Sequence, residues 1–600
     1  MEEQVQALLA TRGGRLQRMA AGVADPPSQP PQKSALVDAL LAMVGWGFLS
    51  APSAQHLAKC AVQDGATHGE LLSLAGIGAH GQQAGNARRD LLRRFCNVKT
   101  VPDPIVVSVD TWDKQRRVEK TDQCVLSLPE VLESMWTNHR ETLIDKFLGP
   151  DPKKFWDTCN LGDPKFQNMG DIMNVPGWQD VTWPFVLHGD GGTYARKTQS
   201  SVMVVSAKSL LAPTFDCNLI PGFFIPKDIY GHGAAGAEEL WRVFVHGLNS
   251  AFDGRHYSKD VNDNPWPHGS PQYNLQGLPL CGGRVRIVIW VVTGDLEFLG
   301  NELRMPHFNS QAPCWLCPVH RMIGSLYPIT DCRKDAPWKY QLFPDDDTSP
   351  FTQGHPVGDI KGITRFHIPG DLMHSGDLGI CAYLVGSVMT ELVFAGPWHG
   401  SLAERLNSLW SEIRVVYAVR DSKNRLSNLT LTMFYHGDER AAVFTGKAAE
   451  CRSLLYVIRD ICMTIPTHTT VDQSRLRCLQ LFCEIYDCCF QHGLHIPHED
   501  AVHMLHNYDE FLLHYNLLCK DALARGFLCY SIVTKLHMMW HIVFHARWLN
   551  PRFIWAYEFE DFVGAIINTA KACMAGTPLR LVGPKVMQNF LLVLNLRLNR

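Results

Sequence analysis

The chain has 600 residues, 46% of them hydrophobic and 19% charged, with a net charge of −3 from 56 basic against 59 acidic residues. Such a balance excludes a disordered chain and fits a globular protein of roughly four domain-sized units. It also excludes a globally basic nucleic-acid binder, so any nucleic-acid surface must be a local patch.

Residues 1–32 read as a helical tail followed by the linker Pro26-Pro-Ser-Gln-Pro-Pro31. The opening Met1-Glu-Glu-Gln-Val carries neither the basic nor the apolar region of a secretory signal. With 19 cysteines, an odd number, reduced thiols in a nuclear or cytoplasmic rather than secreted setting are expected. From 33 to 100 the pattern is helical and ends in the basic cluster Arg88-Arg-Asp-Leu-Leu-Arg-Arg94. This cluster reads as a solvated helix face, with a DNA-contacting helix as the alternative. Residues 101–180 mix short elements with Pro, Gly and Trp, and predict a strand over 105–110 and a helix over 126–146.

Residues 181–305 change character. Short apolar runs at 185–188, 201–206 and 219–225 predict three strands, the last weakened by Pro221 and Gly222. Residues 237–248 carry apolar positions at i, i+3 and i+4, the spacing of an amphipathic helix. Residues 285–293 form a long β-branched run, expected of a central strand buried on both faces, and 296–303 start a helix. The order is three strands, a helix, a strand and a helix. Residues 306–377 hold a cysteine pair. From 378 to 534 helix follows helix, and 535–600 is mainly helical. The longest apolar stretch, 378–395, is interrupted by Glu391 and small residues and reads as a buried helix, not a membrane span.

The chemistry-bearing residues sit at the ends of these elements. Asp190 closes Phe185-Val-Leu-His-Gly-Asp190, and Asp295 closes the run from Val285 through Thr293-Gly294. Taken singly, each acid in its glycine setting is an ordinary turn residue. Taken together, two carboxylates at the ends of neighbouring strands can hold hard cations, Mg²⁺ or Mn²⁺. Such a pair of ions can activate a water or 3′-hydroxyl against a phosphodiester. Cys314-Trp-Leu-Cys317 has the spacing of half a structural zinc site. His374 is the first choice to complete it, with His320, His367 or Asp371 as the fourth ligand. Otherwise His374 is a helix-start residue behind an Asp371 cap. Gly231-His-Gly233-Ala-Ala-Gly236 matches a dinucleotide fingerprint, but the segment before it is a poor strand, so a loop capping a helix is the better reading. His492, His495, His498, His503 and His506 read as scattered helix-surface histidines rather than a second metal site.

In this order, Asp190, Asp295, Cys314/Cys317 and Asp371-Leu-Met-His374 resemble the DDE transposases of the CACTA (En/Spm) superfamily, over roughly 180–600. Lys535-Leu-His-Met-Met-Trp-His541 is similar to that family's late His-rich helix, and Trp555-Ala-Tyr-Glu-Phe-Glu560-Asp-Phe562 to the segment carrying its last acid. The resemblance implies a mixed α/β fold with large helical content. Its RNase H-like core would begin at 181–305, be interrupted by an all-α insertion at 378–534 and close with the helices of 535–600. It implies Glu560 as the third acid, with Glu558 its near rival, and Asp190, Asp295 and Glu560 as ligands of catalytic Mg²⁺. Structural zinc at Cys314, Cys317 and His374 would brace the insertion. It further implies double-stranded DNA, both transposon ends and target, as partner, a homo-oligomer on that DNA and no membrane. The activity would be hydrolysis and strand transfer at the ends of a transposable element. The alternative is a catalytically inactive, domesticated descendant that binds DNA or protein.

Overall fold

A computed structural model describes residues 34–95 and 101–598, apart from positions 114, 116, 196–199, 214–217, 231–234, 323, 344–353 and 575–576. The expected tail and linker at 1–32 and the first part of the glycine-rich loop at 231–236 lie outside the described residues. The chain divides into two compact units, one of residues 1–99 with 592–600 and one of residues 100–591.

In the smaller unit, helices Ala35–Gly45, Ala51–Gln63, Gly69–Ala75 and Ala87–Phe95 share one core of Val37, Leu41, Ala54, Leu74 and Leu91. Ser34 and Ser50 cap the first two helices by accepting from Val37 N and Ser53 N. Ala87 and Leu91 take the buried face of the fourth helix, so Arg88, Arg89, Arg93 and Arg94 face solvent. Leu592 and Leu596, from the last helix Val582–Leu598, join the same core. The end of the chain therefore packs with the N-terminal helices, where the sequence pattern assigned all of 535–600 to one closing block.

The larger unit is built on a six-stranded mixed sheet: β1 Ile105–Trp112, β2 Val118–Val125, β3 Thr182–Ala195, β4 Ser200–Ser209, β5 Ile220–Pro226 and β6 Arg286–Thr293. Their order across the sheet is β1-β2-β5-β4-β3-β6. Only β3 and β6 run parallel; every other neighbouring pair is antiparallel. The β3–β5 meander is followed by the helix Ala235–Asp253, which carries the chain over the sheet so that β6 returns beside β3. The β1–β2 hairpin widens the sheet through β5, a role the composition of 101–180 did not signal.

Both faces are covered, and strand periodicity shows how. Phe223 meets Trp241 and Phe244 of the Ala235–Asp253 helix, whereas its neighbour Phe224 meets Phe590 on the other face. On that second face lies the helix Tyr557–Met574, whose Phe559 stacks on His188 of β3 at 4.4 Å. β6 is buried from Ile287 to Thr293, as its apolar run requires. It is nevertheless an edge strand, paired only with β3 among the described strands. Trp290 is packed by Phe155, Trp156, Phe166 and His367 instead. Burial on two faces was legible; a central place in the sheet was not.

The helical block follows. Met373–Ala395 is long and apolar enough to cross a membrane by composition, but 78% of its most apolar window is buried within the protein. Its first stretch, Met373–Cys381, is π-helical and kinks at Gly379. Helices Leu402–Val419, Ala448–Thr464, Thr470–Gln491, His498–Ala524 and Thr534–His545 complete the block. Buried Asp377 ties it to the Tyr557–Met574 helix on the sheet: its carboxylate accepts from Arg452 Nη1 at 2.8 Å, from Tyr557 OH at 2.6 Å and from Tyr486 OH. A buried carboxylate is retained only when it is paired and hydrogen-bonded in this way. Tyr557 begins the helix that carries Glu560, so this network fixes where that helix starts.

Candidate functional site

The parallel pairing of β3 and β6 ends at His188 opposite Thr293. Two residues further along the chain stand Asp190, still within β3 and on the face of His188, and Asp295, just past the end of β6. β3 continues to Ala195, so Asp190 is not at a strand end as expected; it lies just beyond the end of the β3/β6 ladder. The glycines before the two acids are required by close approach. A Cβ on Gly189 would stand 2.0 Å from the Phe298 ring, and one on Gly294 would stand 2.7 Å from Gly189 O. Phe298 N donates to Asp295 Oδ1 at 2.6 Å, and Gly191 N to Asp190 Oδ1 at 2.6 Å.

Glu560 reaches the pair from the first turn of the Tyr557–Met574 helix and shares a hydrogen bond with Asp190. Glu558, two residues away and so on another face of that helix, is turned to Lys208 of β4 and ion-paired with it. Burial, followed by the charges of Glu560 and Asp295, pushes the Asp190 carboxyl up to about 8. Burial also raises Glu560. Carboxylates crowded into a partly desolvated site cannot all ionise cheaply, and a cation among them relieves the repulsion. Beside Asp190 and Asp295 lies a cleft of about 620 Å³ lined also by Trp112, Lys227, Tyr230 and Glu302.

Asp371 and His374 belong to this acid cluster. Asp371 Oδ2 accepts from His374 Nδ1 at 2.7 Å, and His374 Nε2 lies 3.6 Å from Glu560 Oε1. Burial alone would lower the imidazole. The hydrogen-bonded Asp371 carboxylate, with Glu560 and Asp295 behind it, holds it up at about 9 instead.

The cysteine pair is elsewhere, with other partners. Cys314, Cys317, His537 and His541 are all buried, and their ligand atoms lie within 4.8 Å of one another. Cys314 Sγ is 3.5 Å from His541 Nε2, Cys317 Sγ is 3.3 Å from His537 Nε2, and the two Nε2 atoms are 3.1 Å apart. These spacings are close to the edges of a tetrahedron around zinc with bonds of about 2.0–2.3 Å. The four residues form a Cys₂His₂ group able to hold a metal such as zinc. Burial is opposed at Cys314 by a hydrogen bond from Cys317 and by the two imidazoles, which hold its thiol well below the ordinary range.

This corrects the expected ligand set. His374 is committed to Asp371 and Glu560. Asp371 is occupied by His374 and by Ala556 N. His367 Nδ1 accepts from Thr364 N, and His320 Nδ1 from Met322 N. The ligands that sequence reasoning missed had a signal: His537 and His541 stand at i and i+4, which puts both rings on one helix face. The histidines near 500 are dispersed, with His492 on Asp500 and His495 on Trp548 O. The chain matches no protein-family model and no curated protein.

Proposed function

We propose that the protein is a DDE-type transposase of the CACTA kind, cutting and joining DNA at transposon ends with an RNase H-like core. The observation that carries this reading is the meeting of Asp190, Asp295 and Glu560: two acids aligned by a parallel register and a third from a helix on the same face. The strand order supports it. Three antiparallel strands, a helix and a strand returning parallel beside the first are what such a core requires, with acids on its first and fourth strands; here these are β3 and β6.

Asp190, Asp295 and Glu560 would hold Mg²⁺ or Mn²⁺, oxygen-seeking cations suited to three carboxylates. Bound there, such ions activate a water or 3′-hydroxyl and stabilise the leaving oxygen of a phosphodiester. The chain's own contribution is placement. Gly191 N and Phe298 N orient the two aspartates, and the β3/β6 ladder keeps them in register. Zinc at Cys314, Cys317, His537 and His541 would pin the segment after β6 to the Thr534–His545 helix, on either side of the helical insertion, joining residues 220 and 227 positions apart in sequence. Double-stranded DNA, a homo-oligomer on that DNA and a nuclear or cytoplasmic setting complete the proposal.

The test is Mg²⁺-dependent nicking of supercoiled plasmid. The parent should cut, and Asp190→Asn, Asp295→Asn and Glu560→Gln should each lower the rate by on the order of 10³-fold, the loss expected when several kcal/mol of charge stabilisation disappear. Equal cutting by parent and Asp190→Asn would refute it. A parent that binds DNA without cutting is the signature of the inactive descendant.

A further inference from the structure

The Asp371-x-x-His374 pair leaves the metal group and takes no part in the proposal above, yet it is wired to the acid cluster at two points. Asp371 is buried, and both its oxygens are used. Oδ1 accepts from Ala556 N at 2.9 Å; Oδ2 accepts from His374 N at 2.7 Å and from His374 Nδ1 at 2.7 Å. Ala556 O in turn accepts from Glu560 N at 2.8 Å, the first turn of the helix that presents Glu560. From the other side, His374 Nε2 points at Glu560 Oε1 across 3.6 Å. These contacts close a ring from Asp371 through Ala556 to the Glu560 backbone, and back through the Glu560 carboxylate and His374. One carboxylate thus holds both the backbone just ahead of the helix and the imidazole that meets the helix's functional side chain.

We propose that Asp371 and His374 are a positioning pair for Glu560, orienting its carboxylate toward Asp190 for cation binding; this rests on the reading of the acid cluster as a divalent-cation site. A carboxylate at the first turn of a helix is otherwise free to rotate. Aligning it in advance removes a cost that cation binding would have to meet. Groups that hydrogen-bond a ligating carboxylate or imidazole change metal affinity or activity by about 10–100-fold when removed, and a displacement of 1 Å at a reacting centre costs about 100-fold.

The experiment compares His374→Ala, His374→Gln, Asp371→Ala and the double variant in the full chain. Mn²⁺ titration reads the site, and Mg²⁺-dependent plasmid nicking reads the reaction. His374→Ala should weaken Mn²⁺ binding about tenfold and lower kcat about 100-fold with KM for DNA unchanged. His374→Gln, which restores an N–H donor, should recover about tenfold of that kcat loss. The double variant should be no worse than the worse single one, since the two residues act as one unit. Melting curves identify any variant that fails to fold; the Gln–Ala comparison stands even if Asp371→Ala does. Parental Mn²⁺ affinity and kcat in His374→Ala would overturn the proposal. So would a Gln variant as impaired as the Ala variant, with the same loss of melting temperature, because the imidazole would then be a packing residue. If the parent binds Mn²⁺ in a His374-dependent way but does not nick DNA, the transposase reading falls and the positioning pair stands. If the parent binds no Mn²⁺, both fall.

Discussion

Replacing Asp190 by Asn should make the metal-free protein more stable at neutral pH while abolishing its chemistry. Burial and the charges of Glu560 and Asp295 raise the carboxyl from 3.8 to about 8. A carboxyl that is harder to ionise in the folded than in the unfolded chain subtracts stability as pH rises. The penalty is absent below about pH 4, where both states are protonated, and grows until pH passes about 8. At pH 7, carrying Asp190 into its site costs up to ~4 kcal/mol relative to an unfolded chain in which it is ionised. Glu560 shares that repulsion, so the relief on substitution should be nearer ~2–4 kcal/mol. A unit of this size unfolds with roughly 1 kcal/mol per kelvin of entropy, which makes the gain about 2–4 °C in Tm. The assay is thermal unfolding of parent and Asp190→Asn in chelator from pH 4 to 8, then again in Mg²⁺. The two curves should converge near pH 4 and separate toward pH 8. Mg²⁺ should raise the parent's Tm and leave the variant's unmoved, since a ligand stabilises only the state that binds it. A variant less stable than the parent at pH 7 without metal, or a difference independent of pH, would refute the electrostatic reasoning.

Three further outcomes are expected. Cys314→Ser, or stripping with a strong chelator, should cost at least ~3 kcal/mol and release one equivalent of zinc, measured by elemental analysis and melting, because the group joins distant segments and its remaining buried ligands are left without a metal; a zinc-free parent with an unchanged Tm would count against it. Glu558→Gln should lose only about 1 kcal/mol from its ion pair with the largely buried Lys208 and keep parental Mn²⁺ binding, whereas Glu560→Gln should lose that binding; titration of both variants separates the two acids. Gly189→Ala should destabilise by ~2–3 kcal/mol and impair nicking, since its Cβ would stand 2.0 Å from the Phe298 ring, and a chemical-denaturation curve superimposable on the parent's would show that the Phe298 ring yields.

The element order from β3 to β6 was legible because each element carries its own period. The β-branched run 285–293 became β6, and the i, i+3, i+4 pattern at 237–248 became the core of the Ala235–Asp253 helix. The glycines beside Asp190 and Asp295 read as turn residues in sequence. In the structure they are close-approach residues, a difference visible only once Phe298 is placed beside them. His537 and His541 share a helix legible in the sequence, but no local spacing links that helix to the cysteine pair, and chain proximity points to His374 instead. Proximity along the chain was the wrong guide. His374 lies after the loop that follows the cysteines, but Asp371 captures its ring first.

By itself, the sequence determined which residues are acids, thiols and imidazoles, and which local periods surround them; those depend on neighbours a few positions away. Tertiary structure alone decided which of those residues meet. The parallel register of β3 and β6 aligned Asp190 with Asp295. The docking of the Thr534–His545 helix carried His537 and His541 to Cys317 and Cys314 across 220 and 227 residues. The Asp377 network with Arg452, Tyr486 and Tyr557 fixed the start of the helix that brings Glu560 in. Register and docking are properties of whole packed faces, summed over many side chains, so no short spacing in the chain encodes them.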